Sequence, residues 1–142
     1  MASTLAQNVP RIPPSRMPTA IPTHIKDVGS SIGGKVRLVG TAYVYDVFTG
    51  LMLVGYESWS IWVDTSVCFD PSNTKSVPFL REYNSDVMLI GNIEEAYDSL
   101  PPPSLRDCRA LRGFYSQLIL RAIHIQGVHG LDIDCWNSSV AV

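Results

Sequence analysis

Four residues near the carboxyl end of the sequence could do chemistry: His129, Asp132, Asp134 and Cys135. A nucleophilic cysteine needs a histidine placed as its base, and a metal ion needs ligands whose spacing lets them converge. The spacing here matches no recognised metal site, and the sequence contains no phosphate-binding loop, G-x-S-x-G or H-E-x-x-H motif. The sequence therefore predicts a protein that is not an enzyme and holds no metal or cofactor.

Binding chemistry is better supported, because aromatic and basic residues alternate along one segment. Tyr43 and Tyr45 are expected on one face of an extended strand, beside Arg37, with Tyr56 and Trp62 extending that surface. Aromatic rings stack on nucleic-acid bases for about 1–3 kcal/mol per base, and basic residues contact phosphates. The candidate nucleic-acid-binding residues are Arg37, Tyr43, Tyr45, Lys75 and Arg121. The alternative is that the rings pack the fold or a subunit contact.

The composition and net charge of the chain limit how strongly it can bind nucleic acid by itself. The 142 residues are 46% hydrophobic and 17% charged, which suits a single folded domain. The formal net charge is −2, so counterion release on DNA would be small and the chain should bind DNA weakly by itself. Three cysteines without a C-x-x-C pair, and no apolar run that could span a bilayer, favour a soluble intracellular domain with free thiols and no membrane segment.

The amino-terminal part differs in composition from the rest of the chain. Prolines at positions 10, 13, 14, 18 and 22 exclude a continuous helix. We therefore predict a disordered Pro-rich tail over residues 1–32 and one domain over residues 33–142. Ile21, Ile25 and Val28 could lay the end of the tail against the domain.

Beyond the tail, runs of β-forming residues predict five strands. The predicted bounds are Lys35–Asp46, Leu51–Tyr56, Ser60–Val67, Asp86–Glu94 and Gln117–Val128, with a helical turn at Phe79–Tyr83. Gly40 and Gly91 fall inside strands and would let them bend. A helical turn between the third and fourth of five strands is the order of an OB-fold, a five-stranded Greek-key barrel. A flat β-meander with incidental glycines remains the alternative.

A short helix is predicted at the carboxyl end. Ile133, Trp136 and Val140 have helical spacing, and Asp132 and Asp134 would lie in the first turn, where the helix dipole favours negative charge. So short a helix is marginal alone and must dock on its own barrel or on a partner. The candidate partner-binding residues are Leu131, Ile133, Trp136 and Val140.

The strand sequences resemble those of a known family. "GGKVRLVGTAYVYD", "IWVDTSV", "DVMLIGNIE" and "LILRAIHIQGVHGLDIDCW" resemble the smallest OB-fold subunit of the telomere-capping CST complex, the TEN family, in its fungal type. In that family a strand of type "hxRxxGxxxxYD" opens the barrel, where h is an apolar residue, and the matching positions are Val36, Arg37 in a nearby register, Gly40, Tyr45 and Asp46. The stretch from Gln126 to Trp136 resembles the family's junction between its last strand and the C-terminal helix.

The resemblance implies a function without catalysis. It implies a larger OB-fold partner subunit, single-stranded telomeric DNA as the ligand of the assembled complex, and a nuclear location at chromosome ends. The roles would be telomere capping, chromosome end protection and telomere replication. The alternatives are a protein like the small subunit of replication protein A and a free-standing OB-fold binder of RNA or a small ligand.

Overall fold

The computed structural model of the chain describes residues 19–69, 84–97, 100, 113–128 and 130–140. Several sequence-based predictions fall outside these residues: the tail before residue 19, the helical turn at Phe79–Tyr83, and the positions of Lys75 and His129.

The described residues form a closed barrel. Its strands are β1 (Ile21–Pro22), β2 (Lys35–Asp46), β3 (Leu51–Tyr56), β4 (Trp59–Asp64), β5 (Ser85–Glu95) and β6 (Gly113–Gly127), followed by helix α1 (Ile133–Ser139). The sheet order is β1-β2-β3-β4-β6-β5, and a further pairing of β2 with β5 closes the cylinder. The β4–β6 pairing is parallel and the other pairings within the cylinder are antiparallel. The predicted OB-fold barrel is confirmed.

Strand β2 serves both halves of the barrel. Its residues 35–42 pair with β5 and its residues 41–46 pair with β3. Gly40 lies at the changeover, where a Cβ would stand 2.7 Å from the carbonyl oxygen of Gly55. A side chain at this position would therefore push β3 away from the corner.

The second predicted bend is at Gly91 in β5. The register between β5 and β6 shifts between Ile90 and Gly91, which is a β-bulge. A Cβ on Gly91 would overlap the carbonyl oxygen of Arg121 and lie 2.8 Å from the Cα of Ala122. The strands thus approach too closely here for any other residue.

Two strands differ by several residues from their predicted bounds, and the fourth, predicted at Asp86–Glu94, is longer by one residue at each end. The third predicted strand, Ser60–Val67, ends earlier as β4, because the Thr65 hydroxyl and amide both donate to the carbonyl of Gly50 and begin a turn. The fifth, Gln117–Val128, starts earlier as β6, because Gly113 and Phe114 already pair with β4. The link between β5 and β6 is therefore shorter than the sequence suggested.

The packed part of the chain begins before residue 33. Strand β1 pairs in parallel with β2, and a 3₁₀ helix spans Ile25–Ser31. Ile25 and Val28 are buried in the core, as expected, whereas Ile21 is exposed. The boundary predicted at residue 33 therefore lies later in the chain than the start of packing. Ile25 and Val28, which follow the last proline of the tail, still pack into the barrel core.

The barrel interior is filled by alternate residues of the strands. On β2 these are Val36, Leu38 and Ala42, and on β3 Met52 and Val54. The remaining members of the cluster are Ile25, Val28, Ile61, Val63, Val87, Leu89, Ile93, Leu118, Leu120 and Ala122. This alternation of inward apolar residues matches the period of two on which the strand predictions were based.

The Gly91 bulge gives a first prediction. We expect Gly91→Ala to lower the free energy of unfolding by about 3 kcal/mol or more, because its Cβ meets backbone of β6 that cannot move without opening the barrel. Urea unfolding measures the change. Gly29→Ala is the matched control, since the nearest atom to its Cβ is 3.9 Å away. Equal stability of the two variants would contradict the close approach.

Candidate interaction surface of the C-terminal helix

Helix α1 begins at a side-chain cap. Asp132 has an extended backbone, and its carboxylate accepts a hydrogen bond from the Cys135 amide at 3.0 Å. Asp134 lies in the first turn, where the helix dipole favours negative charge. Both carboxylates that looked chemically active in the sequence thus hold the start of this helix.

The helix presents one face to its own barrel and another to solvent. Asn137 and Val140 are buried, and Ile133 and Trp136 are half-buried. Leu131, just before the helix, is 38% exposed. The predicted partner-binding residues therefore divide: Val140 is used within the chain, while Leu131 and parts of Ile133 and Trp136 remain accessible.

Asn137 fixes the helix to the barrel. Its side-chain Nδ2 donates to the carbonyl of Val39 at 3.4 Å and to that of Ile133 at 2.8 Å. The Val39 carbonyl lies between the part of β2 that pairs with β1 and the part that pairs with β3. Asn137 thus satisfies a backbone acceptor on the edge of β2 that faces away from β5, at a position with which neither β1 nor β3 pairs. Sequence analysis missed this residue, because a polar side chain among helical apolar positions is typical of a solvent-facing residue.

A second contact joins α1 to the β3–β4 hairpin. The Tyr56 hydroxyl donates to Asp134 Oδ1 at 2.7 Å. Partial burial raises the pKa of Tyr56, and the hydrogen bond to Asp134 raises it further, to about 12. Negative charges on Glu57 and Asp132 act in the same direction. The sequence predicted that Tyr56 extends an outer aromatic surface. In the structure it packs against the core at the end of the barrel instead.

The two candidate stacking rings of β2 lie on different faces. The β2–β3 register shifts between Ala42 and Val44, so this bulge reverses the side on which later residues point. Tyr45 therefore pairs with Met52 and packs against the core. Tyr43 lies over Gly55, 2.8 Å from the position a Cβ would take there. The prediction that both rings share one face is wrong, because it assumed an unbroken strand.

Trp62 faces outward, as predicted, but it is covered. It pairs with Leu53 on β3 and Ile119 on β6, and Leu53 and Trp62 are only 0% and 8% exposed. The outer side of β3 and β4 is the usual binding face of OB-folds. In this chain the centre of that face is closed to solvent.

The basic residues predicted to bind nucleic acid differ in whether their charge is paired with a carboxylate. Arg121 forms ion pairs with Asp64 on β4 and Glu94 on β5, so its charge is already balanced. Arg37 makes no ion pair with the described residues, and its Nε is buried without a hydrogen-bond partner. The charge of Arg121 is thus paired within the chain and that of Arg37 is not paired with any described residue, while Lys75 lies outside the described residues.

The described part of the chain was searched for metal-binding clusters, free thiols and membrane-spanning helices. No three histidine, cysteine or carboxylate side chains come together there in a way that could hold a metal ion. Cys68 and Cys135 are free thiols. None of the helices among these residues is long and apolar enough to cross a membrane.

The contact between Tyr56 and Asp134 gives a pH prediction. A pKa raised from 10.0 to about 12 means that the folded state holds this proton more tightly, so the stabilisation is full below pH 10 and is lost as pH rises through 12. We expect wild type to be more stable than Tyr56→Phe at pH 8, with the difference falling between pH 10 and 12. Urea unfolding of both proteins measures it.

Taking the difference between the two proteins removes the contributions of Tyr115 and Cys68, whose pKa values burial also raises. A difference that stays constant between pH 8 and 12 would show that the Tyr56 hydroxyl does not hold the helix.

Comparison with known proteins identifies similar folds. No protein-family model and no curated protein sequence matches the chain. Among solved structures, a chain of the S. pombe Stn1–Ten1 complex superposes with a TM-score of 0.57 at 14% identity, covering 86% of this chain and 89% of that one. The S. pombe telomere capping protein Ten1 gives a TM-score of 0.55 at 15% identity, covering 86% of this chain and 94% of that one.

Aminoacyl-tRNA synthetases also contain a similar fold, but only over a small part of their own length. The asparaginyl-tRNA synthetase of Entamoeba histolytica gives a TM-score of 0.52 at 18% identity and covers 83% of this chain, but only 26% of the synthetase is matched. At these identities the likeness shows the fold alone. The fold of this chain is therefore that of the Ten1 protein, nearly end to end, and that of one part of the synthetase.

Proposed function

We propose that this chain is the small, non-enzymatic subunit of a telomere-capping complex of the CST type. Its fold matches almost the whole of the S. pombe Ten1 chain and of a chain of the S. pombe Stn1–Ten1 complex, and that observation carries the proposal. Its partner would be a larger OB-fold subunit of the same kind as Stn1. It would act in the nucleus at chromosome ends, in end protection and telomere replication.

The partner surface is proposed around α1. Leu131 and the accessible parts of Ile133 and Trp136 form an apolar strip beside the buried Asn137. Tryptophan is among the residues that most often dominate the energetics of an interface. Because Asn137 and Val140 already hold α1 to the barrel, the helix is preorganised and loses little conformational entropy on binding.

The contribution to single-stranded DNA is proposed to be secondary. Arg37 and Tyr43 lie on β2, and at about 3.3 Å per residue they are roughly 20 Å apart. Helix α1 packs against β2 between them, at Val39. A DNA strand touching both would have to pass the helix and its bound partner, so these residues add to a composite surface and do not form a complete site.

Substitution of Trp136 tests the partner surface. We expect Trp136→Ala to weaken binding to the larger OB-fold subunit about tenfold or more, because it removes the largest accessible apolar side chain of α1. The barrel should stay folded, since Asn137 and Val140 still hold α1 to it. Binding is measured by calorimetry on the purified subunits, and folding by circular dichroism.

Asn137→Ala is the matched control on the same helix. We expect it to lose about 1–3 kcal/mol of stability, because the carbonyl of Val39 is left without a donor. If Trp136→Ala unfolds the isolated chain instead, α1 is only a cap of its own barrel. If the wild-type chain from its native cells is monomeric without an OB-fold partner, the subunit proposal fails.

A separate experiment tests the DNA contacts in the reconstituted complex. We expect Arg37→Ala to weaken binding of a telomeric single strand and to reduce the slope of log affinity against log salt by about one, as loss of one phosphate contact does. Tyr43→Ala should weaken binding by about 1–3 kcal/mol through lost stacking. Arg121→Ala is the control, because its charge is already balanced by Asp64 and Glu94. Equal effects of Arg37→Ala and Arg121→Ala would contradict the assignment.

A further inference from the structure

Two neighbouring grooves cross the end of the barrel where β2 begins and β5 ends. The first has a volume of about 550 Å³, and Thr19, Ile21, Ile32 and Lys35 are among the residues that line it. The second has a volume of about 370 Å³ and is also lined by Ile32, so the two are continuous at this residue. Both volumes lie in the range of roughly 300–1,000 Å³ that ligand sites occupy. Together they form the barrel-end groove.

The barrel-end groove is apolar at its centre. Ile21 is 64% exposed and Ile32 is 48% exposed, so two large apolar side chains meet solvent here. Lys35 in the first part and Glu95 in the second have opposite charges, which leave the groove without a net charge. The surface therefore suits an apolar stretch of polypeptide better than a charged ligand.

The second part of the groove has an aromatic wall that is already fixed. Phe114, Tyr115 and Leu118 line it. The ring of Tyr115 packs against Trp59, with centroids 5.3 Å apart, and its hydroxyl donates to the carbonyl of Lys26 at 2.5 Å. Aromatic-lined grooves are typical of sites that bind proline-rich segments in the polyproline II conformation.

The amino-terminal segment of the chain leads into this groove. Residues 1–18 lie outside the described part of the chain, and Thr19, the next residue, lines the first part of the groove. Strand β1 is parallel to β2, so the chain followed back from Thr19 leaves β1 at the end of the barrel that the groove crosses. Because the tether is so short, the segment is present at the groove at about millimolar local concentration, and a weak contact is enough to hold it.

The sequence of the segment suits the groove as well. Pro10 and Pro13 have the P-x-x-P spacing, and the apolar residues Ile12 and Met17 lie among the prolines. In the polyproline II conformation residues 10–18 would span about 28 Å, long enough to cross the end of a small barrel. Prolines have few conformations to lose, so the entropy cost of docking is low.

We propose that residues 10–18 dock in the barrel-end groove of the same chain, with the P-x-x-P stretch against the aromatic wall. The docked segment covers Ile21 and Ile32. The composition of the tail predicted disorder over residues 1–32, and this proposal differs from that prediction for residues 10–18. It does not depend on the proposed function, because the groove and the segment belong to one chain.

Trypsin cleavage of the isolated 142-residue chain measures the docking. Arg11 and Arg16 are followed by Ile12 and Met17, not by proline, so trypsin can cut after both. A docked segment is cut only while it is released, so the rate reports the released population. We expect Ile32→Ser to speed both cleavages about fivefold or more, because it removes the apolar side chain that both parts of the groove share.

Phe48→Ser is the matched control. Phe48 is 95% exposed in the turn between β2 and β3 and lines neither part of the groove. Cleavage after Arg11 and Arg16 should therefore keep its wild-type rate, and circular dichroism checks that both variants are folded. Wild-type rates in Ile32→Ser, or equal increases in the two variants, would overturn the docking.

NMR spectra test the contact from the side of the segment, with a variant that leaves the barrel sequence unchanged. Ile12→Ser/Pro13→Ser should shift the backbone amide resonances of Ile32 and Gln117, which line the groove, and leave that of Phe48 in place. Unchanged resonances at both groove residues would overturn the proposal.

Pro102→Ser/Pro103→Ser is the control for the second NMR experiment, since the link between β5 and β6 is also rich in proline. Shifts at Ile32 as large as those from the segment variant would point to the link as the occupant and overturn the proposal. A wild-type cleavage rate that falls as the protein concentration is raised would place the segment on a second copy, which also overturns docking within one chain.

Both experiments use the isolated chain without a partner. Their failure would leave the proposed subunit function intact, and the absence of a larger OB-fold partner would leave the docking intact.

Discussion

The edge of β2 that faces β3 is the constraint on which the rest of this structure depends. A small barrel closes only if its strands are sheared, so β2 pairs with β3 over its second part alone. Before that point β2 pairs with β5 on one side, and its other edge would be left without partners. Strand β1 reaches Val36 and Arg37, the Thr23 amide donates to the carbonyl of Arg37, and Asn137 donates to that of Val39. Segments near both ends of the described chain thus supply the hydrogen-bond partners of this edge of β2.

This arrangement makes helix α1 part of the fold and part of a surface at once. Asn137 fixes the helix by a polar contact at a backbone gap, and Val140 adds burial. Tyr56 holds its first turn from the neighbouring hairpin. A helix of seven residues would not be stable alone, so these contacts are what allows Trp136 to be presented in a fixed orientation.

Sequence analysis correctly predicted the strands whose bounds are set by turn residues next to them in the sequence. The bounds of β2 and β3 agree with prediction because Asp46 and Gly50 form the turn between them: Asp46 accepts from the Phe48 amide, and Gly50 has a φ of 72°. The bulge after Ala42 was not predicted, since nothing in the residue types reveals an inserted position, and the two tyrosines were therefore placed on one face. Asn137 was missed for a different reason: its partner, Val39, lies 98 residues away.

The same geometry fits the proposal that this chain acts through a partner and not as an independent DNA binder. The outer centre of β3 and β4 is filled by Leu53 and Trp62, which solvent hardly reaches. Arg121 is neutralised by two carboxylates, and the net charge of −2 provides no general attraction for phosphates. Opening the usual OB face would expose buried apolar surface, whereas the edge around α1 is accessible and already ordered. We therefore expect the proposed partner to bind there without rearrangement of the barrel, and a protein to be favoured at this surface over a nucleic acid.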